Sequence, residues 1–239
     1  MQSLAKVILE NANKFYDELD KNRNHRSCSW EHCYSAFYDV IKNERVQDNE
    51  RVQDYDYLAL HLAFYLASWG MYRGSSFLLQ YDYKIHAIPI KEYLLDIKYK
   101  DLFGIEWSKL DEDKLKEKLN LLEELSNKLK EYYEKLRVAI SDKDIKTEVS
   151  DILITKILLG TLGCVPAYDS FFKVAARKYN VTTGIYNTKS INKLVEFYKN
   201  NENDLEETRK HLIIKNTDIK YPQMKLLDMA LWELGQNNL

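Results

Sequence analysis

Two short stretches hold the residue types from which a ligand site could be built. In Ser68–Phe77, SWGMYRGSSF, Gly70 and Gly74 interrupt an apolar helical run, and Arg73, Ser75 and Ser76 cluster around the second glycine. Glycine lets backbone N–H groups approach an anion, a helix N-terminus adds partial positive charge, and arginine offers a two-pronged donor for phosphate or carboxylate. The same residues suit close helix packing, a serine cap and an arginine paired with a carboxylate, and both uses stay open. The second stretch is Gly160–Phe172, GTLGCVPAYDSFF, which contains two of the seven glycines and one of the three prolines. Its composition predicts a tight helix-to-helix turn, with Pro166 in the first turn of the next helix, where a missing N–H costs nothing. Beyond it Asp169, Lys173 and Arg177 recur at four-residue spacing, one polar stripe of a helix, with the aspartate at the end where the helix dipole favours negative charge.

Other chemical groupings are less productive. His25, Cys28, His32 and Cys33 are zinc-type donors, but helical spacing puts Cys33 on an apolar face with Trp30 and Phe37 and turns His32 away, so no metal is expected. His61 lies among Leu60, Leu62, Ala63 and Phe64 and reads as a core or interface histidine. No phosphate-binding glycine loop, nucleophile elbow or histidine–glutamate zinc motif occurs, and no cofactor is expected.

The elements that must position these residues are helical. Three prolines and seven glycines leave little punctuation for a β-rich chain, and apolar residues recur with helical period along most of it. The expected fold is all-α, a compact assembly of about nine to eleven helices with one long central helix. That central helix spans Asp111–Ile140, where Leu115, Leu119, Leu122, Leu129, Tyr133, Leu136 and Ile140 form a near-heptad seam. Further helices are expected around Leu4–Leu19, Trp30–Ile41 with Ser29 as cap, Glu148–Leu159, Pro166–Tyr179, Thr188–Lys199, Asp204–Ile214 and Pro222–Leu234, the last ended by Gly235. Residues 1–239 read as a single helical domain with a subdivision near 105–141. Glu44–Asp48 repeats as Glu50–Asp54, a local duplication suited to an exposed loop or helix extension.

A hydrophobic content of 45% fills a real core, and a net charge of -2 gives no global field for nucleic acid, so a polyanion site would have to be local. The most apolar segment, Tyr57–Leu79, carries His61 and Arg73, which argues against a membrane span. Three cysteines cannot pair completely, and a cytoplasmic location is expected.

The run CVPAYDSFFKVAARKYN resembles the segment of helix-hairpin-helix DNA glycosylases in which a Val-Pro-Val-Asp turn leads into a helix with a basic residue near its end. The similar positions are Val165, Pro166, Asp169, Arg177 and Tyr179; in ungapped register Tyr168 stands at the family's aspartate and Asp169 follows it. The resemblance implies an all-helical DNA-binding protein acting on a damaged or modified base. Asp169 would assist base release, with Tyr168 beside it. Arg73, Ser75, Ser76, Lys173 and Arg177 would meet phosphate, and Trp69 or Tyr168 would stack on an extruded base. The alternative is a non-catalytic interaction module that binds another protein or itself through the 115–136 seam.

Overall fold

The computed structural model describes residues 3–42, 51–140 and 148–237. The chain is all-α. Its helices are α1 (Leu4–Lys21), α2 (Cys28–Lys42), α3 (Arg51–Ser68), the single turn α4 (Ala87–Pro89), α5 (Glu112–Ala139), α6 (Asp151–Thr161), α7 (Ser170–Lys178), α8 (Thr188–Asn200), α9 (Glu202–Arg209) and α10 (Gln223–Gln236). Between α3 and α5 the backbone runs through short 3-10 and π turns from Phe77 to Lys109. No strand forms among the described residues, where the extended pairing is an isolated bridge between Ile213 and Lys220. Of the duplicated sequence, Glu44–Asp48 lies outside the described residues, and the second copy runs into the start of α3. No helix among the described residues is long and apolar enough to cross a membrane.

The chain divides into two compact units: Met1–His25, Gly104–Asn120 and Gly163–Leu239 form the first, Arg26–Phe103 and Leu121–Leu162 the second. In the first unit Ser3 caps α1 by accepting from the Lys6 N–H, and Ala5, Ile8, Ala12, Phe15 and Leu19 bury one helical face. That face packs on α10, where Phe15 and Phe171 both meet Trp232 edge to face, at 5.8 and 5.5 Å between ring centres. Gly235 sits inside the last turn of α10 instead of beyond it, because a Cβ there would stand 2.0 Å from the carbonyl oxygen of Phe171. Its hydrogen lets α7 and α10 approach.

In the second unit α2, α3 and α6 pack on one another. Gly160 of α6 faces the Tyr65 ring, which a Cβ would approach to 2.5 Å, and the Trp30 indole donates to the Leu159 carbonyl at 3.0 Å. Ser29 is no cap: α2 begins at Cys28 and Ser29 is buried within its first turn. The long central helix is α5, and its seam is enclosed in the chain's own core. Leu119, Leu122, Leu125, Leu129 and Tyr133 are all buried, each leucine contributing about 1.5–3 kcal/mol of burial. At the two ends of the seam Leu115 and Leu136 are half-buried and Ile140 is exposed.

The division between the units explains the composition of GTLGCVPAYDSFF. The boundary falls between Leu162 and Gly163, and Gly163 turns the chain with a φ of 64°, a left-handed conformation natural to glycine. Cys164 to Tyr168 then run without helix. Pro166 is not in a first helical turn: the Asp228 carboxylate takes the neighbouring Ala167 N–H at 2.9 Å, outside any helix. The next helix starts only at Ser170.

Candidate functional site

In the second unit, α3 ends at Ser68, and the chain turns through Gly70 (φ 77°) and Gly74 (φ 58°) before Ser76 caps the turn at Phe77–Gln80 by accepting from the Leu78 N–H. A Cβ on Gly70 would lie 3.0 Å from Cζ of Arg73, so the guanidinium lies against the glycine. Arg73 is exposed and makes no ion pair among the described residues. Gly70, Gly74, Ser75 and Ser76 form one wall of a pocket of about 430 Å³, with Arg137 and Ser150 also on its lining. Arg137 is held in place by Glu134, its Nε donating to Oε2 at 3.0 Å, while Glu134 also accepts the Val149 N–H at 2.9 Å. Hydroxyls and a guanidinium around glycine backbone can receive an anionic group; Glu148, also on the lining, opposes it.

Trp69 closes this end of α3. Two cations lie over its ring, Arg26 at 5.5 Å and the buried Lys156 at 5.0 Å, and Arg26 also donates to the Ser68 carbonyl. The half-buried indole is thus contacted by two cations.

The residues from the glycosylase-like stretch lie in the first unit and serve packing. Tyr168 is fully buried, its hydroxyl 2.8 Å from Ser190 Oγ, which also pairs with Thr182. Its ring contacts Phe172 and Tyr186, and burial raises the phenol's pKa. Tyr168, expected to stand beside Asp169 and to stack on a base, is enclosed on these sides. Asp169 is the cap of α7, Oδ1 accepting the Phe172 N–H at 3.1 Å. Lys173 is half-buried, while Arg177 folds over Gly184 and donates from Nε to the Thr183 carbonyl at 3.1 Å. Tyr168 and Arg177 thus tie the chain around α7 to the Thr182–Ser190 turn, while Asp169 closes the helix's own first turn. Trp69, Arg73, Ser75 and Ser76 belong to one compact unit, and Tyr168, Asp169, Lys173 and Arg177 to the other.

Sequence reasoning passed over two polar clusters. His86 is buried between Tyr72 and Tyr133, whose hydroxyls lie 2.7 Å from Nε2 and 2.6 Å from Nδ1, and burial lowers its pKa to about 3. Lys225 and Asp228 form a buried pair at 2.9 Å, signalled in the sequence only by their three-residue spacing on a largely apolar helix. His61 is half-buried against Tyr57, its pKa lowered by burial and by His32. Cys28, Cys33 and Cys164 are buried free thiols, and no group of three potential metal ligands converges among the described residues.

No family model matches the chain, and neither the curated proteins nor the solved structures contain a significant match.

Proposed function

We propose that this protein binds nucleic acid through its phosphates at the pocket beside Gly70–Ser76, without catalysing base release. The observation that carries this reading is the convergence of two left-handed glycines, Ser75, Ser76 and Arg137 on one pocket, next to an exposed Arg73 that no carboxylate neutralises among the described residues. Serine hydroxyls and guanidinium N–H groups donate to phosphate oxygens, and the glycines remove the Cβ atoms that would keep a phosphate off the backbone. Only the DNA-binding half of the glycosylase resemblance is carried forward, since the Asp169 carboxylate is committed to a cap and Tyr168 to a buried cluster. The test is fluorescence anisotropy with labelled duplex and single-stranded DNA across a salt series. Arg73→Ala should weaken binding for all sequences alike and reduce the salt slope by about 1, the effect of one lost phosphate contact. An unchanged slope removes Arg73 from the interface.

A second reading, a protein-interaction module, is favoured by α3. Tyr57, Leu60 and Phe64 are 52%, 51% and 55% exposed at helical spacing, while Leu58, Leu62 and Leu66 on the same helix are buried. A helix apolar all round is normally enclosed. Half of the roughly 150–250 Å² that an aromatic side chain can bury, summed over this stripe, gives a few hundred Å², short of the ~800 Å² per partner of a stable dimer. The occupant that fits is one amphipathic helix of another protein. A labelled Leu/Phe-faced helical peptide should bind the native chain and not the Leu60→Glu, Phe64→Glu variant. Concentration-dependent dimerisation abolished by the same variant would assign the stripe to a second copy instead.

A further inference from the structure

A second cleft lies wholly in the first unit and has a different character. It measures about 450 Å³ and opens between the N-terminal half of α5 and the N-terminal half of α8. Lys116 comes from α5, Lys189 and Lys193 from α8, and Asn120 and Asn192 supply amides on either side.

Several lysines of this chain pair with carboxylates, as in Lys135–Glu131, Lys210–Glu207, Lys109–Glu202 and Lys130–Asp151, while others such as Lys6 and Lys84 make no such pair among the described residues. Lys116, Lys189 and Lys193 are exposed, and none makes an ion pair among the described residues. Lys189 and Lys193 stand four residues apart on one helix face, where like charges repel. The acid on the cleft lining, Glu196, accepts from Asn192 Nδ2 at 2.7 Å and makes no ion pair with the three lysines, though its charge offsets one of theirs. Three ammonium groups are thus collected around one small concavity, against their mutual repulsion.

We infer that this cleft binds a small ligand carrying a chain of two or three phosphates. Its volume falls in the range of small-molecule sites, and three flexible point charges suit a multiply charged anion that can be approached from several sides. A phosphate dianion would balance the net +2 of the lining (three lysines and Glu196), whereas a chain of phosphates can meet lysines on both α5 and α8 at once. Nucleoside polyphosphates and inorganic polyphosphate share this chemistry. This inference is independent of nucleic-acid binding at Gly70–Ser76: it concerns other residues, in the other unit.

The experiment is isothermal titration of the full chain at low salt with sodium tripolyphosphate, ATP and AMP. Tripolyphosphate and ATP should bind, AMP much more weakly, and affinity should fall as salt rises. Equal affinities for tripolyphosphate and ATP assign recognition to the phosphate chain alone; tighter ATP binding adds a nucleoside contact. The Lys116→Gln, Lys189→Gln, Lys193→Gln variant should lose binding, while Lys210→Gln, a control for general surface charge, should retain it. Tripolyphosphate should also protect the three lysines of the native protein from acetylation, read by mass spectrometry, which requires no variant to fold. No binding, equal binding of AMP, or full affinity in the triple variant would overturn the inference. Protection of Lys116, Lys189 and Lys193 from acetylation by tripolyphosphate should be the same in Arg73→Ala as in the native chain, so failure here and failure of the nucleic-acid reading are separable.

Discussion

Replacing Asp228 should be among the most damaging single changes in the first unit. Its side chain is buried, with Oδ2 accepting from Lys225 Nζ at 2.9 Å and Oδ1 from the Ala167 N–H at 2.9 Å. Lys225 is equally buried, and its ammonium lies 5.3 Å from the centre of the Phe15 ring. Asp228→Ala removes the carboxylate that faces this buried cation. Removing one partner of a buried pair costs about 3–5 kcal/mol, a figure that already includes part of the ~1–3 kcal/mol for the orphaned Ala167 N–H. Against a total stability of roughly 5–15 kcal/mol, the loss is a large fraction. Asp228→Asn retains an acceptor for Ala167 but not the charge, so its cost should fall below that of alanine. Lys225→Met combined with Asp228→Leu should recover much of the loss, because two apolar groups leave no charge unpaired, and the pair should couple by about 0.5–3 kcal/mol. Urea unfolding at pH 7, followed by both tryptophan fluorescence and far-UV circular dichroism, measures these costs and tests whether the two units unfold together. An Asp228→Ala variant within about 0.5 kcal/mol of the native chain, the range of surface substitutions, would refute the assignment of this pair as an anchor.

Three further outcomes follow from the packing and burial. Gly235→Ala drives a methyl into the Phe171 backbone, whereas Gly160→Ala meets the Tyr65 ring, a side chain that can move. Urea midpoints should therefore place Gly235→Ala at or beyond the upper end of the ~1–3 kcal/mol overpacking range and Gly160→Ala lower; the reverse order would contradict the contacts described. For His86, a folded pKa of about 3 lies below the ordinary 6.5, so the unfolded chain binds a proton that the folded chain refuses. Stability should be insensitive to this group above pH 6.5 and fall by up to ~1.4 kcal/mol per pH unit as pH drops from 6.5 towards 3. His86→Gln should flatten that part of the curve, and parallel curves for variant and native chain would show that His86 does not cause it. The Leu60→Glu, Phe64→Glu change on α3 should leave the urea midpoint within about 0.5 kcal/mol of native, since both side chains already face water.

Local patterns carried much of the architecture. The three- and four-residue spacing of Ala5, Ile8, Ala12, Phe15 and Leu19 specifies α1, and the leucines from Leu119 to Leu129 specify α5, because a helix buries the face its own sequence makes apolar. The departures came from contacts made at long range. Pro166 looked like a helix start, but the carboxylate of Asp228, sixty-one residues away, holds the following N–H outside a helix. Gly235 looked like a helix end, and its actual use is to admit the Phe171 backbone. For the sites, Gly70, Arg73, Ser75 and Ser76 were recognisable together because they are neighbours in sequence. Arg137 and Ser150 on the same pocket come from α5 and the cap of α6, and no local pattern joins them to that turn. The enclosure of Tyr168 is not legible in its own stretch, because it depends on Thr182 and Ser190, which lie beyond it. The lysine cleft was invisible for the same reason: Lys116 and Lys189 are far apart in sequence, and each alone reads as an ordinary surface charge.

The most direct test of the central claim is the anisotropy titration of the native chain against labelled duplex and single-stranded DNA, repeated over increasing salt. Phosphate recognition at Gly70–Ser76 predicts binding at low salt, a linear loss of log affinity with log salt, and a shallower slope for Arg73→Ala. Absence of binding at low salt, or identical slopes for the native chain and Arg73→Ala, would contradict it.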